Sequence, residues 1–177
     1  FENVRVPRAN VVGEVNGGWD VSMTTLGFER GTAFIAHQIH LAATLEQLYV
    51  MAHDVRGPDG CRPAIEDGAT VEQLLKLRAE VAALRAMTYL SVSRGARQAV
   101  PGPEGNIIAL HYAELSQRIH AFAVELLGNE ALETHAENPD WLTDYLDAFK
   151  NTIAGGTSEI RRNVIGERLL GLPRGGR

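Results

Sequence analysis

Between positions 104 and 128 the apolar residues Ile108, Tyr112, Leu115, Ile119, Phe122 and Leu126 follow one another at intervals of four, three, four, three and four. Those intervals bring each side chain back to one face of an α-helix, whereas a strand would scatter them over two faces. A stripe of about five turns has to be covered by other elements, so the spacing predicts a helix inside a bundle. Pro101-Gly102-Pro103 separates this helix from what precedes it, it opens near Glu104, and Gly128-Asn129 ends it.

Two further segments share the helical period. From Trp19 to His53, the residues Phe28, Thr32, Ile35, Ile39, Ala42, Leu45 and Tyr49 fall on one face. Gly27 and Gly31 lie within this segment at a cost of about 1 kcal/mol each relative to alanine, which suggests close approach of a helix or ligand. From about Thr70 to Gln98, Leu74, Leu77, Val81 and Leu84 line one face, and the stretch 54–69 before it is a Gly-, Pro- and Asp-rich loop. A polar loop spans 129–138, a short helix runs from Pro139 to Asn151 with Trp141, Leu142, Tyr145 and Phe149, and a last helix from Thr157 to about Leu170 carries Ile160, Val164, Ile165 and Leu169. The expected fold is all-α: an antiparallel helical bundle of three long helices plus two short ones. Residues 1–17 read as the end of a strand or an extended linker, 18–172 as the helical bundle domain and 173–177 as a tail. Ile107, Val92 and Leu48 lie off the main stripes and need cover, so a dimer or dimer of dimers is expected.

Composition removes several classes of function. At 177 residues, 45% of them apolar, the chain can build one core, and no apolar run approaches the roughly 20 residues of a membrane span. A net charge of −5 leaves no footprint for nucleic acid. The single Cys61 rules out an intrachain disulfide and fits a reducing compartment, so a cytoplasmic location is expected. The sequence opens in mid-phrase at Phe1 and reads as the C-terminal part of a longer protein.

Chemistry has few places to reside. His37 and His40 stand three apart, but His53, His111, His120 and His135 are scattered, so no metal site is expected. Cys61 has nothing beside it to lower its pKa, and Ser22, Ser91, Ser93 and Ser116 lack a nucleophile-elbow context. Glu29 lies in Leu26-Gly27-Phe28-Glu29-Arg30-Gly31. Apolar neighbours there would desolvate its carboxylate and raise its pKa toward the range of a general base, while Arg30 beside it fits an exposed ion pair equally well. The residues alone leave both open. Near the end, Gly155-Gly156 feeds Thr157-Ser158-Glu159. Glycines before a helix start suit close approach of an anion such as a phosphate, and an ordinary capped helix start is the alternative.

The string AGGTSEIRRNVIGERLLGLPR, residues 154–174, resembles the C-terminal signature of flavin-dependent acyl-CoA dehydrogenases, particularly of the actinobacterial type. The opening FENVRVPRANVVGE resembles the phrase that closes that family's middle β-domain, so the resemblance covers the whole chain. It implies desaturation of an acyl-CoA thioester, with a glutamate taking the α-proton and FAD receiving the β-hydride. In most members the glutamate directly precedes Gly-Thr, a place held here by Gly155. The isovaleryl and long-chain types carry it instead on the first helix of the C-terminal domain, before an arginine. The resemblance therefore implies Glu29 as the base, Arg30 as a substrate-orienting residue, and Arg56, Gly128, Gly156, Thr157 and Glu159 as FAD-binding residues, with Arg56 serving a neighbouring subunit's flavin. Two motifs depart from the family: Arg-x-x-Phe-Gly reads Arg56-Gly57-Pro58-Asp59-Gly60, and Gln-x-x-Gly-Gly reads Glu125-Leu126-Leu127-Gly128-Asn129. The implied partners are an acyl-CoA substrate, an electron-accepting flavoprotein, and copies or paralogues in a homo- or hetero-oligomer. The acidic departures also resemble heteromeric actinobacterial members, including steroid side-chain dehydrogenases, where a subunit can be structural and non-catalytic.

Overall fold

Three long helices carry the fold: α1 (Gly18–Asp54), α2 (Gly68–Gly95) and α3 (Gly105–Leu127), each packed against the other two. The computed structural model describes residues 1–97, 102, 104–133 and 140–174, with 28–33 described by their backbone alone. His37 of α1 stacks on Tyr112 of α3, and Met51 and Val55 share a cleft with Leu127, so α1 and α3 run parallel. Glu80 of α2 meets Arg118 while Thr70 and Gln73 face Phe122 and Leu126, so α2 runs against them. Asp67 starts α2 by accepting the Thr70 N–H at 2.8 Å, and Asp140 starts α4 (Trp141–Ala148) by accepting that of Thr143 at 3.0 Å.

The expected stripe of α2 is the one buried: Leu74, Leu77, Val81 and Leu84 all lie in the core. On α3, Ile108, Leu115 and Ile119 are buried, with Tyr112, Phe122 and Leu126 packed against them at the edge. α1 bears out Leu45 of its expected stripe and differs at others, with the side chains of Phe28 and Thr32 outside the described residues. Ile39 and Tyr49 are 56% and 39% exposed, and the inward stripe is Leu41, Leu45, Leu48 and Ala52. Leu48, expected to need outside cover, is fully buried, while Ile107 and Val92 are half-buried. α1 carries apolar residues on two faces, so its period alone does not select the one that α2 and α3 cover.

Residues 1–17 form no strand. They contain one short 3-10 turn at Arg8–Asn10, and bonds such as Asn10 N–H to Pro7 O and Gly17 N–H to Glu14 O, both 2.9 Å, close local turns. A strand needs a neighbour to pair its backbone, and the bundle offers none to this segment. After α4 come a 3-10 turn (Phe149–Thr152), α5 (Ser158–Val164) and a π-turn (Ile165–Leu169). The expected apolar face of α5 is also corrected: Ile160 and Leu169 are exposed, and the inward residues are Ser158 and Arg161. Gln98, Pro101, Pro103, His135, Pro139 and the last three residues of the tail lie outside the described residues. Among the described residues no helix is long and apolar enough to cross a membrane.

Candidate functional site

The signature loop is a turn that only glycine adopts without strain. Gly155 has φ +68° and Gly156 φ +112°, conformations that a β-carbon disfavours. Thr157 caps α5, its Oγ1 accepting the Ile160 N–H at 3.3 Å. Glu159 is exposed in the first turn, its carboxyl held below the ordinary value by its own backbone N–H and then by the Thr157 hydroxyl. Arg161, 7% exposed, folds back under the turn. Its Nη1 donates to Asn151 O (2.9 Å) and Ala109 O (3.2 Å), and its Nη2 donates to Ala154 O (2.8 Å). These charge-assisted bonds tie the glycine turn to α3.

Ala109 stands one turn before Tyr112, whose ring stacks on His37 (centroids 4.9 Å apart) and meets Phe34 edge-on at 6.2 Å. Glu29 precedes Phe34 by five residues, about 7.5 Å along the axis of α1. The backbone at Glu29 and the glycine turn thus belong to the same end of the bundle. The side chains of Glu29 and Arg30 lie outside the described residues. Among the described residues a β-carbon on Gly27 would meet nothing within 4 Å, so no close approach by them explains that glycine.

A second polar site lies toward the other end of α3. Arg56 is exposed where the chain leaves α1, forms a bridge with Pro63, and donates from Nη1 to Cys61 O. It lines a cleft of about 720 Å³ together with Thr70, Gln73, Arg118, Phe122 and Glu125. Arg118 is itself paired with Glu80, Nη1 to Oε1 at 2.6 Å. Asp59, the first acidic departure, is turned into its own loop. It accepts the N–H groups of Arg62 (3.0 Å) and Cys61 (2.9 Å) and pairs with the Arg62 guanidinium at 2.8 Å, which together hold its carboxyl far below the carboxylate range. Glu125, the second departure, does line the cleft. Gly128 ends α3 at φ +55° with open space where a β-carbon would stand, so its backbone angle alone calls for glycine.

Ala109 and Phe122 are separated by 13 residues of one helix, about 20 Å. The structure therefore gathers Gly156, Thr157 and Glu159 at one end with the backbone of Glu29, and Arg56, Glu125 and Gly128 at the other. Sequence reasoning missed Arg161. The available signal was an arginine four residues after a capping Thr157, behind two glycines whose flanking carbonyls need donors. Among the described residues no group of three His, Cys, Asp or Glu side chains could hold a metal ion.

Comparison with known proteins bears on the whole of this arrangement. The family described as acyl-CoA dehydrogenase, C-terminal domain, matches residues 16–170. Acyl-CoA dehydrogenase IpdE1 of Mycobacterium tuberculosis is 32% identical over 98% of this chain, which spans 43% of that relative's length. The glutaryl-coenzyme A dehydrogenase complex with glutaryl-CoA superposes with a TM-score of 0.84 at 20% identity, over 99% of this chain and 44% of that one. Butyryl-CoA dehydrogenase from Megasphaera elsdenii does so with a TM-score of 0.80 at 22% identity, over 96% and 43% of the two chains. At those identities the two structures show the fold; the chain spans less than half the length of these proteins.

Proposed function

The chain belongs to the acyl-CoA dehydrogenase family, as a C-terminal helical domain, and from that premise we propose that it serves the α,β-desaturation of an acyl-CoA thioester. Glu29 takes the α-proton and Arg30 orients the thioester. The observation that carries this reading is the tie from the Gly155–Gly156 turn through Arg161 to Ala109, which supports a shared site for that turn and the Glu29 end of α1. Gly155 cannot act as a base, and a glutamate on α1 supplies the missing carboxylate. A carboxylate from which water is excluded when the site closes gains the basicity that proton abstraction needs.

FAD, when bound, would supply the acceptor for the β-hydride. Gly156, Thr157 and Glu159 would hold it at the glycine end, while Arg56 and Gly128, at the other end, would hold the flavin of a neighbouring subunit. The residues fit the group: Arg56 offers an exposed guanidinium at a cleft, suited to a diphosphate, and Asp59 is neutralised by Arg62 rather than opposed to it. The span of about 20 Å along α3 supports Arg56 serving the flavin of a neighbouring subunit, hence a homo- or hetero-oligomer. An acyl-CoA and an electron-accepting flavoprotein complete the set of partners. Glu125 favours a second reading, a non-catalytic subunit of a heteromeric complex, because a carboxylate in the cleft opposes an anion. The visible spectrum of the purified full-length protein, alone and with its partner subunit, separates the two: flavin bound by the protein alone supports the enzyme.

Glu29→Gln in the full-length protein tests the base. Flavin bleaching by an acyl-CoA substrate falls by about 10²–10⁴-fold while substrate binding survives. Bleaching at the wild-type rate contradicts the assignment.

A further inference from the structure

We propose that Arg161 is the positioning residue of this site: its guanidinium holds the Gly155–Gly156 turn in its positive-φ form and so fixes how the turn and Thr157 meet flavin and thioester. The proposal rests on the desaturation reading for what the turn meets, and on geometry for the clamp itself. Two consecutive glycines have more conformations to lose than any other pair, so a single turn geometry requires outside restraint. The backbone supplies it only as far as Ala154, whose N–H reaches Lys150 O at 2.8 Å, and again from Arg161, whose N–H reaches Thr157 O at 2.9 Å. Between them the side chain of Arg161 takes over, collecting carbonyls from three places: Asn151 at the end of the 3-10 turn, Ala154 entering the glycine turn, and Ala109 on α3.

A charge this deeply buried is costly unless its donors are satisfied, and one of the carbonyls that satisfies them, Ala154 O, is offered by the entry to the turn. Burial of the guanidinium and the geometry of the turn are thus linked. The next residue shows the contrast. Arg162 is exposed and spends its charge on a surface pair with Glu114 of α3. The fork is also specific: Nη1 serves two carbonyls and Nη2 a third, a division between two nitrogens in one plane that the single nitrogen of a lysine cannot reproduce.

The test uses the full-length protein with flavin, comparing wild type, Arg161→Lys, Arg161→Gln and Arg162→Gln. The glutamine variant carries no charge to bury and keeps the test open if the lysine variant fails to fold. Amide exchange of Ile153 and Ala154, both bonded to Lys150 O, rises about tenfold or more in the Arg161 variants, as expected for loss of a bond to a charged group. The KM for acyl-CoA or the Kd for FAD rises by about 10–10²-fold, lysine does not rescue, and Arg162→Gln changes neither. Unchanged exchange at Ile153 and Ala154 overturns the clamp. Faster exchange with KM and Kd both unchanged overturns its positioning role. A wild type that binds flavin and still does not bleach it with acyl-CoA overturns the desaturation reading instead, with the exchange and Kd measurements left to decide on Arg161.

Discussion

The two halves of α1 are built on different terms. From Gln38 to Ala52 the helix buries Gln38, Leu41, Thr44, Leu45, Leu48 and Ala52 against α2 and α3. From Gly18 to His37 none of the described side chains is buried: Trp19 is 74% exposed, and Val21, Leu26, Phe34 and Ile35 are half-covered. One rod of 37 residues, about 55 Å long, is therefore fixed by its second half and presents its first. The backbone of Glu29 lies in this first half, where no described side chain is buried. The backbone at Glu29 is thus located by packing further along the same helix.

Breaking the packed half has the largest expected effect on stability. Leu48→Ala removes a fully buried side chain and costs about 2–5 kcal/mol, read from chemical denaturation of the full-length protein. A cost below 1 kcal/mol would mean that something other than this half fixes α1. Gly27→Ala probes the open half and has the opposite sign. Among the described residues nothing lies within 4 Å of the new methyl group, so the variant gains about 0.5–1 kcal/mol from helix propensity. A loss in the intact protein would reveal another surface closing on Gly27.

The smallest effect sits at the boundary, at His37. Desolvation of the ring stacked on Tyr112, then the nearby His40 and Lys150, lower its pKa from the ordinary 6.5. The folded state favours the neutral imidazole, so this contribution is fully present above pH 6.5 and is lost as pH falls through that value toward the folded pKa. Thermal melts between pH 7.5 and 5.5 show a decline that His37→Phe reduces. An unchanged decline in that variant would place the titrating group elsewhere.

These contrasts also show what the sequence could convey. The stripe of α2 was legible because Leu74, Leu77, Val81 and Leu84 form an unbroken run at helical spacing, while the large apolar residues it exposes, Leu75, Tyr89 and Leu90, are scattered. That of α1 was not, because Ile39, Tyr49 and Val50 compete with Leu41 and Leu48 for the core, and only the neighbouring helices decide. The glycine turn was legible as a motif, and its positive φ angles agree with what two adjacent glycines permit. Its clamp was hidden, because an arginine in a helix normally reads as exposed, and the carbonyls that bury Arg161 come from residues up to 52 positions away. Asp59 looked like an obstacle to an anion because its partner Arg62, three residues on, acts through a local turn that composition does not reveal.

The central claim is that Glu29 and the position of Gly155 address one α-carbon from two elements. The direct measurement is the rate of flavin reduction by an acyl-CoA in the full-length protein for wild type, Glu29→Gln and Glu29→Gln/Gly155→Glu. The single variant is expected to lose most of the rate, and the double variant to recover part of it. Recovery is partial because φ +68° at position 155 costs a glutamate about 1–2 kcal/mol that glycine does not incur. A single variant as fast as wild type, or a folded, flavin-bound double variant no faster than the single one, would contradict the claim.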